Sequence, residues 1–398
     1  MAKEKLWTKD FVIVSAINFF VTLIFYLLMV TISTYAVEKF AANTSQAGLV
    51  TGIFVIGALI GRLFSGRIID QFGRKKMLFI GLILFTASTC LYFGANNLLF
   101  LLINRLVHGI ALGMASTATG TIVAQIIPAT RRGEGIGYYG LSAILATAIG
   151  PFFGMYLREH TSYQMIFLFC LMVGLFSLIT AFFLKVVVKV SSEKGSPMQK
   201  GFHIRSFIEI NALPISVVTF FVGLAYSGVL SFITFYAEEL NLIESASFFF
   251  VAYAAAVLVS RPFAGKLFDV RGANSVIYPV LIIFAVGMML LSQVHNGWTL
   301  LLAGVIIGFG YGNFTSSAQA VAIKVTPHDR LGLATSTFFI LVDLAFGIGP
   351  YLLGLVVPYS GFRGLYLSLV AIIIFAMILY YFLHGKKERQ TFKYKMTS

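Results

Sequence analysis

The chain has 398 residues, of which 59% are apolar and 11% charged, with a formal charge of +14, whereas an ordinary soluble domain carries roughly 25% charged residues. That composition excludes a protein whose only solvent is water. Two cysteines, Cys90 and Cys170, both in apolar runs, exclude a disulfide framework, and neither a metal nor a cofactor is expected.

In chain order, apolar runs predict twelve spans: 11–36, 47–69, 77–95, 98–127, 135–157, 163–186, 210–236, 246–268, 275–294, 298–324, 331–357 and 363–384. A run of about 20 residues crosses a hydrocarbon layer of roughly 30 Å as a helix. Lipid leaves backbone polar groups no outside partner, so the spans are helices and not strands. The fold expected is an all-α membrane protein of twelve transmembrane helices in two pseudo-symmetric six-helix bundles. The first run is too long for a cleaved signal core of about 7–15 residues and reads as a retained helix. The division is 1–186 for the first bundle, 187–208 for a polar linker, 209–384 for the second bundle and 385–398 for a tail.

With the N-terminus inside, Lys3, Lys5, Lys9, Arg67, Arg74, Lys75, Lys76, Arg131, Arg132, the linker lysines, Lys266, Arg271, Lys324, Arg330, Lys386, Lys387 and Arg389 all fall on the cytoplasmic side. Only Lys39, Arg158 and Arg363 fall outside. That bias predicts both termini in the cytoplasm of a bacterial plasma membrane, and attraction to anionic headgroups accounts for the basicity without nucleic acid. Glu238, Glu239 and Glu244 are expected in an outer loop, and Glu209 at a solvated interface.

One offset of 199 residues carries Arg62 onto Arg261, Gly66 onto Gly265, Asp70 onto Asp269, Gly73 onto Gly272, Gly109 onto Gly308, Gly113 onto Gly312, Pro128 onto Pro327, Arg131 onto Arg330 and Gly150-Pro151 onto Gly349-Pro350. A half-length repeat in an apolar chain is the architecture of carriers whose site lies at the seam of two bundles.

The loop after span two, GRLFSGRIIDQFGRKK at 61–76, is a basic turn. Gly66 would let helices approach, Gly73 would supply a left-handed backbone, and Asp70 would take donors from a helix start or from Arg74. This loop closely resembles the signature G-x-x-x-D-x-x-G-R-K-K of the major facilitator superfamily, and SRPFAGKLFDVRG at 260–272 resembles its degenerate second copy. The resemblance covers essentially the whole chain. It implies a latch closing the cytoplasmic side, built on Gly66, Asp70, Gly73 and Arg74, with Arg131, Glu134 and Asp269 as partners.

In span four, Arg105, Gly109 and Gly113 resemble the family motif R-x-x-x-G-x-x-x-G, associated with proton-coupled members. A charge at mid-membrane costs at least about 2.5–3.5 kcal/mol, so Arg105 should face a cavity or a buried partner. His108 shares its face at i+3, and Asp343, the acid buried nearest a helix centre, is the other candidate for proton coupling. In span five, Gly137, Gly150, Pro151 and Gly154 are similar to the antiporter motif G-x8-G-x3-G-P-x2-G-G, with Ala146 and Met155 departing from it. Small residues and a proline there let the helix bend and pack closely.

Asn18, Tyr26, Gln125, Tyr138, Tyr226, Asn313 and Gln319 are the candidate lining of a substrate cavity of apolar walls and few polar groups. GFGYG at 308–312 follows no strand and is read as helix packing, not a phosphate loop. The reading is a secondary carrier resembling the twelve-helix drug:proton antiporter group, not an enzyme: a monomer that exchanges protons for small amphipathic molecules among membrane lipids. An importer of a sugar or other metabolite, and a dedicated siderophore or metabolite exporter, are the alternatives. A lipid-modifying enzyme would need clustered His, Asp or Glu at a membrane face, and a channel would not need a gate motif in both halves.

Overall fold

Leucine, isoleucine, phenylalanine and alanine without alternation leave helix as the structure that satisfies every backbone group in lipid, and the computed structural model is helical throughout. It describes residues 5–128, 131–185, 208–327, 330–386 and 388, without the side chains of Arg67, Asp70, Gln71, Arg132, Gly133, Glu134, Ile136, Gly137, Asp269, Leu331 and Gly332. No strand occurs among the described residues.

The elements are α1 (Lys9–Phe40), α2 (Thr44–Phe72), α3 (Arg74–Leu91), α4 (Leu98–Ile126), α5 (Arg132–His160), α6 (Tyr163–Phe182), α7 (Leu213–Glu239), α8 (Ile243–Ser247), α9 (Phe249–Arg271), α10 (Asn274–Ser292), α11 (Gly297–Ile307), α12 (Asn313–Lys324) and α13 (Leu331–Tyr380). Among the described residues, eleven stretches are long and apolar enough to cross a membrane, and the last runs over 53 residues. That is more than twice one crossing. Gly361, at φ +64, breaks α13 there, which supplies the eleventh and twelfth spans. Glu238 and Glu239 close α7 instead of lying in a loop. The expected linker falls almost wholly outside the described residues.

The chain forms two compact units. The first holds Met1–Leu28, Ile53–Gly150 and His160–His203; the second holds Met29–Gly52, Pro151–Glu159 and Ile204–Ser398. Three helices of the first bundle, α1, α2 and α5, therefore give their ends away from the chain termini to the second unit.

Inside the first unit, α2 and α4 cross on glycine. A Cβ on Gly109 would collide with the carbonyl of Phe54, one on Gly113 with that of Ala58, one on Gly57 with that of Leu106 and one on Gly61 with that of Ile110. The second unit repeats the crossing between α9 and the α11–α12 rod, where Gly308 meets the carbonyl of Tyr253 and Gly312 meets Val257. The offset of 199 carries Phe54 onto Tyr253 and Ala58 onto Val257, so both members of the Gly109 and Gly113 contacts recur, whereas Gly57 and Gly61 become Ala256 and Ser260. The turn after each signature loop repeats as well, with Gly73 at φ +92 and Gly272 at φ +83, conformations that cost a side-chain-bearing residue dearly.

Candidate functional site

Arg105 is fully buried in α4. Its guanidinium lies 4.3 Å from the Phe54 ring centroid, a cation–π contact, and its Nη1 donates to the Tyr92 hydroxyl at 3.3 Å. Tyr92 Oη stands 2.9 Å from His108 Nδ1, and His108 Nε2 stands 3.3 Å from Thr89 Oγ1, whose hydroxyl donates to the Phe85 carbonyl at 2.9 Å. Donor and acceptor inventory assigns one direction to this chain: Arg105 to Tyr92, Tyr92 to His108 Nδ1, His108 Nε2–H to Thr89, Thr89 to Phe85. Both ring nitrogens of His108 are thus engaged. A second proton can enter at Nδ1 only if the Tyr92 hydroxyl turns away.

Arg74 donates to Gln125 Oε1 at 2.7 Å, so Gln125 belongs with the signature loop at an exposed helix end. Lys75 donates to the Leu184 carbonyl at 2.7 Å, tying the start of α3 to the end of α6. A Cβ on Gly66 would meet nothing within 4 Å among the described residues; the expected close helix approach is absent there. Arg131 is half-buried. The side chains of Asp70, Glu134 and Asp269 lie outside those described.

The other candidate residues make contacts within their own units. Asn18 donates to Ser142 Oγ at 2.8 Å, joining α1 to α5, and Tyr26 packs against Gly150. Tyr138 is exposed beside Trp7, with ring centroids 4.9 Å apart. In the second unit Tyr226 stacks on Tyr311 with centroids 3.8 Å apart and planes 11° off parallel, and Tyr253 lies 5.6 Å beyond Tyr226. Tyr311 sits in a π-helical turn at Gly308–Gly312, a distortion frequent at functional sites. Asn313 follows it, donating to Ser260 Oγ at 2.7 Å and the Phe309 carbonyl at 2.8 Å. Gln319 is half-buried in α12. Asp343 is 8% exposed.

Glu209 contradicts the expectation of a solvated acid. It is 1% exposed, paired with Arg330 Nε at 2.9 Å, and its backbone N–H donates to Thr337 Oγ1 at 2.8 Å. The signal was available, because the repeat that carries Arg131 onto Arg330 also carries Asp10 onto Glu209.

The second unit also holds a polar cluster that the sequence did not reveal. Arg158, at the end of α5, binds Glu38 of α1 at 2.6 Å and Glu238 of α7, and its Nε donates to Thr34 Oγ1 at 3.2 Å. Thr234 Oγ1 of α7 donates to the Val30 carbonyl of α1 at 2.9 Å, and Thr44 Oγ1 of α2 donates to the Gly354 carbonyl of α13 at 2.8 Å. Bare backbone faces backbone between the same two helices: a Cβ on Gly48 would strike the Pro350 carbonyl, one on Gly52 the Gly347 carbonyl, and one on Gly354 the Thr44 carbonyl. Gly150 belongs to the first unit and Pro151 to the second, so α5 passes from one to the other at its Gly-Pro step.

Comparison with known proteins agrees along the whole chain. The profile of the Major Facilitator Superfamily matches residues 14–297 and 215–395. An MFS-type transporter of Methanocaldococcus jannaschii is 26% identical over 353 residues, covering 86% of this chain and 90% of that protein. Multidrug resistance protein MdtG of Dickeya zeae is 26% identical over 382 residues, covering 92% of each. Among solved structures, a bacterial homologue of the human lysosomal transporter Spinster, inward-facing and occupied, superposes with a TM-score of 0.77 at 14% identity over 94% of this chain and 96% of that one, a likeness of fold.

Proposed function

We propose, on the premise that this chain belongs to the Major Facilitator Superfamily, that it expels small amphipathic molecules in exchange for protons by alternating access. The observation that carries the reading is the cluster around Arg158. The ends of α1, α2 and α5 remote from the termini are bound to second-bundle helices by one ion-paired arginine and by glycine-to-carbonyl contacts. Such contacts exclude water when made, yet little side-chain interlocking resists their parting. An end held this way suits a gate better than a permanent seam.

Three further features support export. Gly137, Gly150, Pro151 and Gly154 resemble the antiporter motif, the Gly-Pro step of α5 falls where that helix passes from the first unit to the second, and a relative covering 92% of the chain is a multidrug resistance protein. In this reading both termini are cytoplasmic, the membrane is the bacterial plasma membrane, and the protein acts as a monomer. Gly66, Asp70, Gly73, Arg74, Arg131, Glu134 and Asp269 form the opposite, cytoplasmic gate. Asp343, Arg105 and His108 handle the proton, with Tyr92 deciding whether His108 Nδ1 can take one. Asn18, Tyr26, Tyr138, Tyr226, Asn313 and Gln319 are the substrate candidates, Gln125 serving Arg74 of the cytoplasmic gate instead, and the stacked tyrosines of the second unit favour flat aromatic compounds.

Inverted membrane vesicles test this directly. Accumulation of planar amphipathic dyes should require an imposed proton gradient and cease when an ionophore collapses it. Accumulation indifferent to the gradient would remove the proton from the mechanism, and uptake only into right-side-out vesicles would favour an importer.

A further inference from the structure

Two contiguous cavities lie between α10 and the second half of α13, sharing Met377. One, of about 230 Å³, is walled by apolar side chains including Ile282, Val286, Met289 and Ile374. The other, of about 530 Å³, is lined by Asn274, Tyr278, Tyr381 and Phe382. From Asn274 to Met289 the groove follows α10 for about 22 Å at 1.5 Å per residue, more than one leaflet of a hydrocarbon core roughly 30 Å thick. Ile282, Val286, Met289 and Phe382 are each at least half exposed, so none of the described residues covers it.

The mouth of the groove is built by the C-terminal segment. The Glu388 carboxylate accepts the backbone N–H groups of Ala273 at 2.7 Å and Asn274 at 2.8 Å, closing the start of α10. Asn274 Nδ2 donates to the Gly385 carbonyl at 2.9 Å, and the Tyr380 hydroxyl donates to Asn274 Oδ1 at 2.8 Å. Gly385 lies so close to the Tyr278 hydroxyl that a Cβ would not fit. This clasp sets exposed Lys386 directly after the groove wall, while exposed Arg271 precedes Ala273 by two residues. The Glu388 carboxylate is already occupied by its two N–H donors.

We infer that the groove is a binding site for one anionic phospholipid of the leaflet on the side of the chain termini. An acyl chain fills the apolar length, and the phosphate headgroup sits at the tyrosines beside Lys386 and Arg271. The gradient from aliphatic to aromatic and polar lining matches a lipid read from tail to headgroup, and the two cations choose the sign of its charge.

The test is mass spectrometry of the intact full-length protein released from detergent, titrated with phosphatidylglycerol or phosphatidylethanolamine of equal chain length. The wild type should retain phosphatidylglycerol more tightly. Lys386→Gln should weaken phosphatidylglycerol about five-fold and leave phosphatidylethanolamine unchanged. Ala285→Trp, which fills the apolar half from a half-exposed position, should weaken both lipids. Equal retention of the two lipids by the wild type would overturn the inference, as would wild-type binding by Ala285→Trp. An unchanged elution volume and melting temperature for each variant assign the loss to the site.

Discussion

α4 and its copy, the rod of α11, π-turn and α12, pack alike and are chemically different. Gly109 meets the Phe54 carbonyl and Gly308 meets that of Tyr253, the same contact carried forward by 199 residues. Yet Arg105 becomes Gly304 and His108 becomes Ile307. The first copy is an unbroken helix around a buried cation; the second swells into a π-turn that puts Tyr311 against Tyr226. Duplication kept glycine on the α4 side of the crossing, at 109/308 and 113/312, where a side chain is excluded by volume, while Gly57 and Gly61 on the facing helix become Ala256 and Ser260. It released the positions around them, where the two halves acquired their separate chemistry. The loops differ in the same manner: Lys75 clasps α3 to the Leu184 carbonyl at the end of α6, while Glu388 clasps the start of α10 from beyond α13. Equivalent helix pairs are held in both halves by groups of opposite charge.

The largest effect should come from filling the duplicated contacts. Gly109→Leu and Gly308→Leu each drive a side chain into backbone, and each should cost about 3 kcal/mol or more, seen as loss of a monodisperse folded species in detergent. Were one of them tolerated, the two crossings would not be equivalent. Arg105→Ala comes next. It strips Tyr92 of its donor and leaves a cavity worth about 2–4 kcal/mol, read as a lower melting temperature together with abolished transport. Arg105→Lys keeps a charge without the planar fork; it should fold, with transport reduced at least ten-fold. Gly304→Ala, at the matching position, should leave proton dependence intact.

Glu209→Gln should lower stability by about 1–2 kcal/mol, less than the usual cost of splitting a buried pair, because the Arg330 left behind is 43% exposed and regains water. A melting curve checks it. Gly66→Ala is the smallest change. With open space around its Cβ and a helical setting, it should alter stability by no more than about +0.5–1 kcal/mol. Transport should nevertheless fall if Gly66 comes into contact when the cytoplasmic gate closes; normal transport by Gly66→Ala would take that glycine out of the gate.

The bundle, its span count and its duplication were legible in the sequence because lipid enforces helices and because glycine-to-backbone contacts leave a fixed offset. Glu209 was misjudged although Asp10 is its counterpart, since an acid just before an apolar run looks interfacial until the helix packed beside it is known. Glu38 and Arg158 carried no such trace. The offset takes Arg158 onto Val357, so their pairing exists in one copy alone and depends on helices distant in sequence. The π-turn was equally hidden, because GFGYG reads as ordinary small-residue packing. Within their own units several candidate cavity residues make helix-to-helix hydrogen bonds, such as Asn18 to Ser142.

The most direct test of the account is the distance between spin labels at Lys39 and Glu239, exposed residues beside Glu38 and Glu238, in protein whose Cys90 and Cys170 are replaced by serine and alanine. Electron double resonance should give a short distance at neutral pH and a second, longer population when substrate or acid is added. In Arg158→Gln the longer population should dominate without either. One unchanging short distance under every condition, in the wild type and in Arg158→Gln alike, would show a permanent seam and contradict the gate.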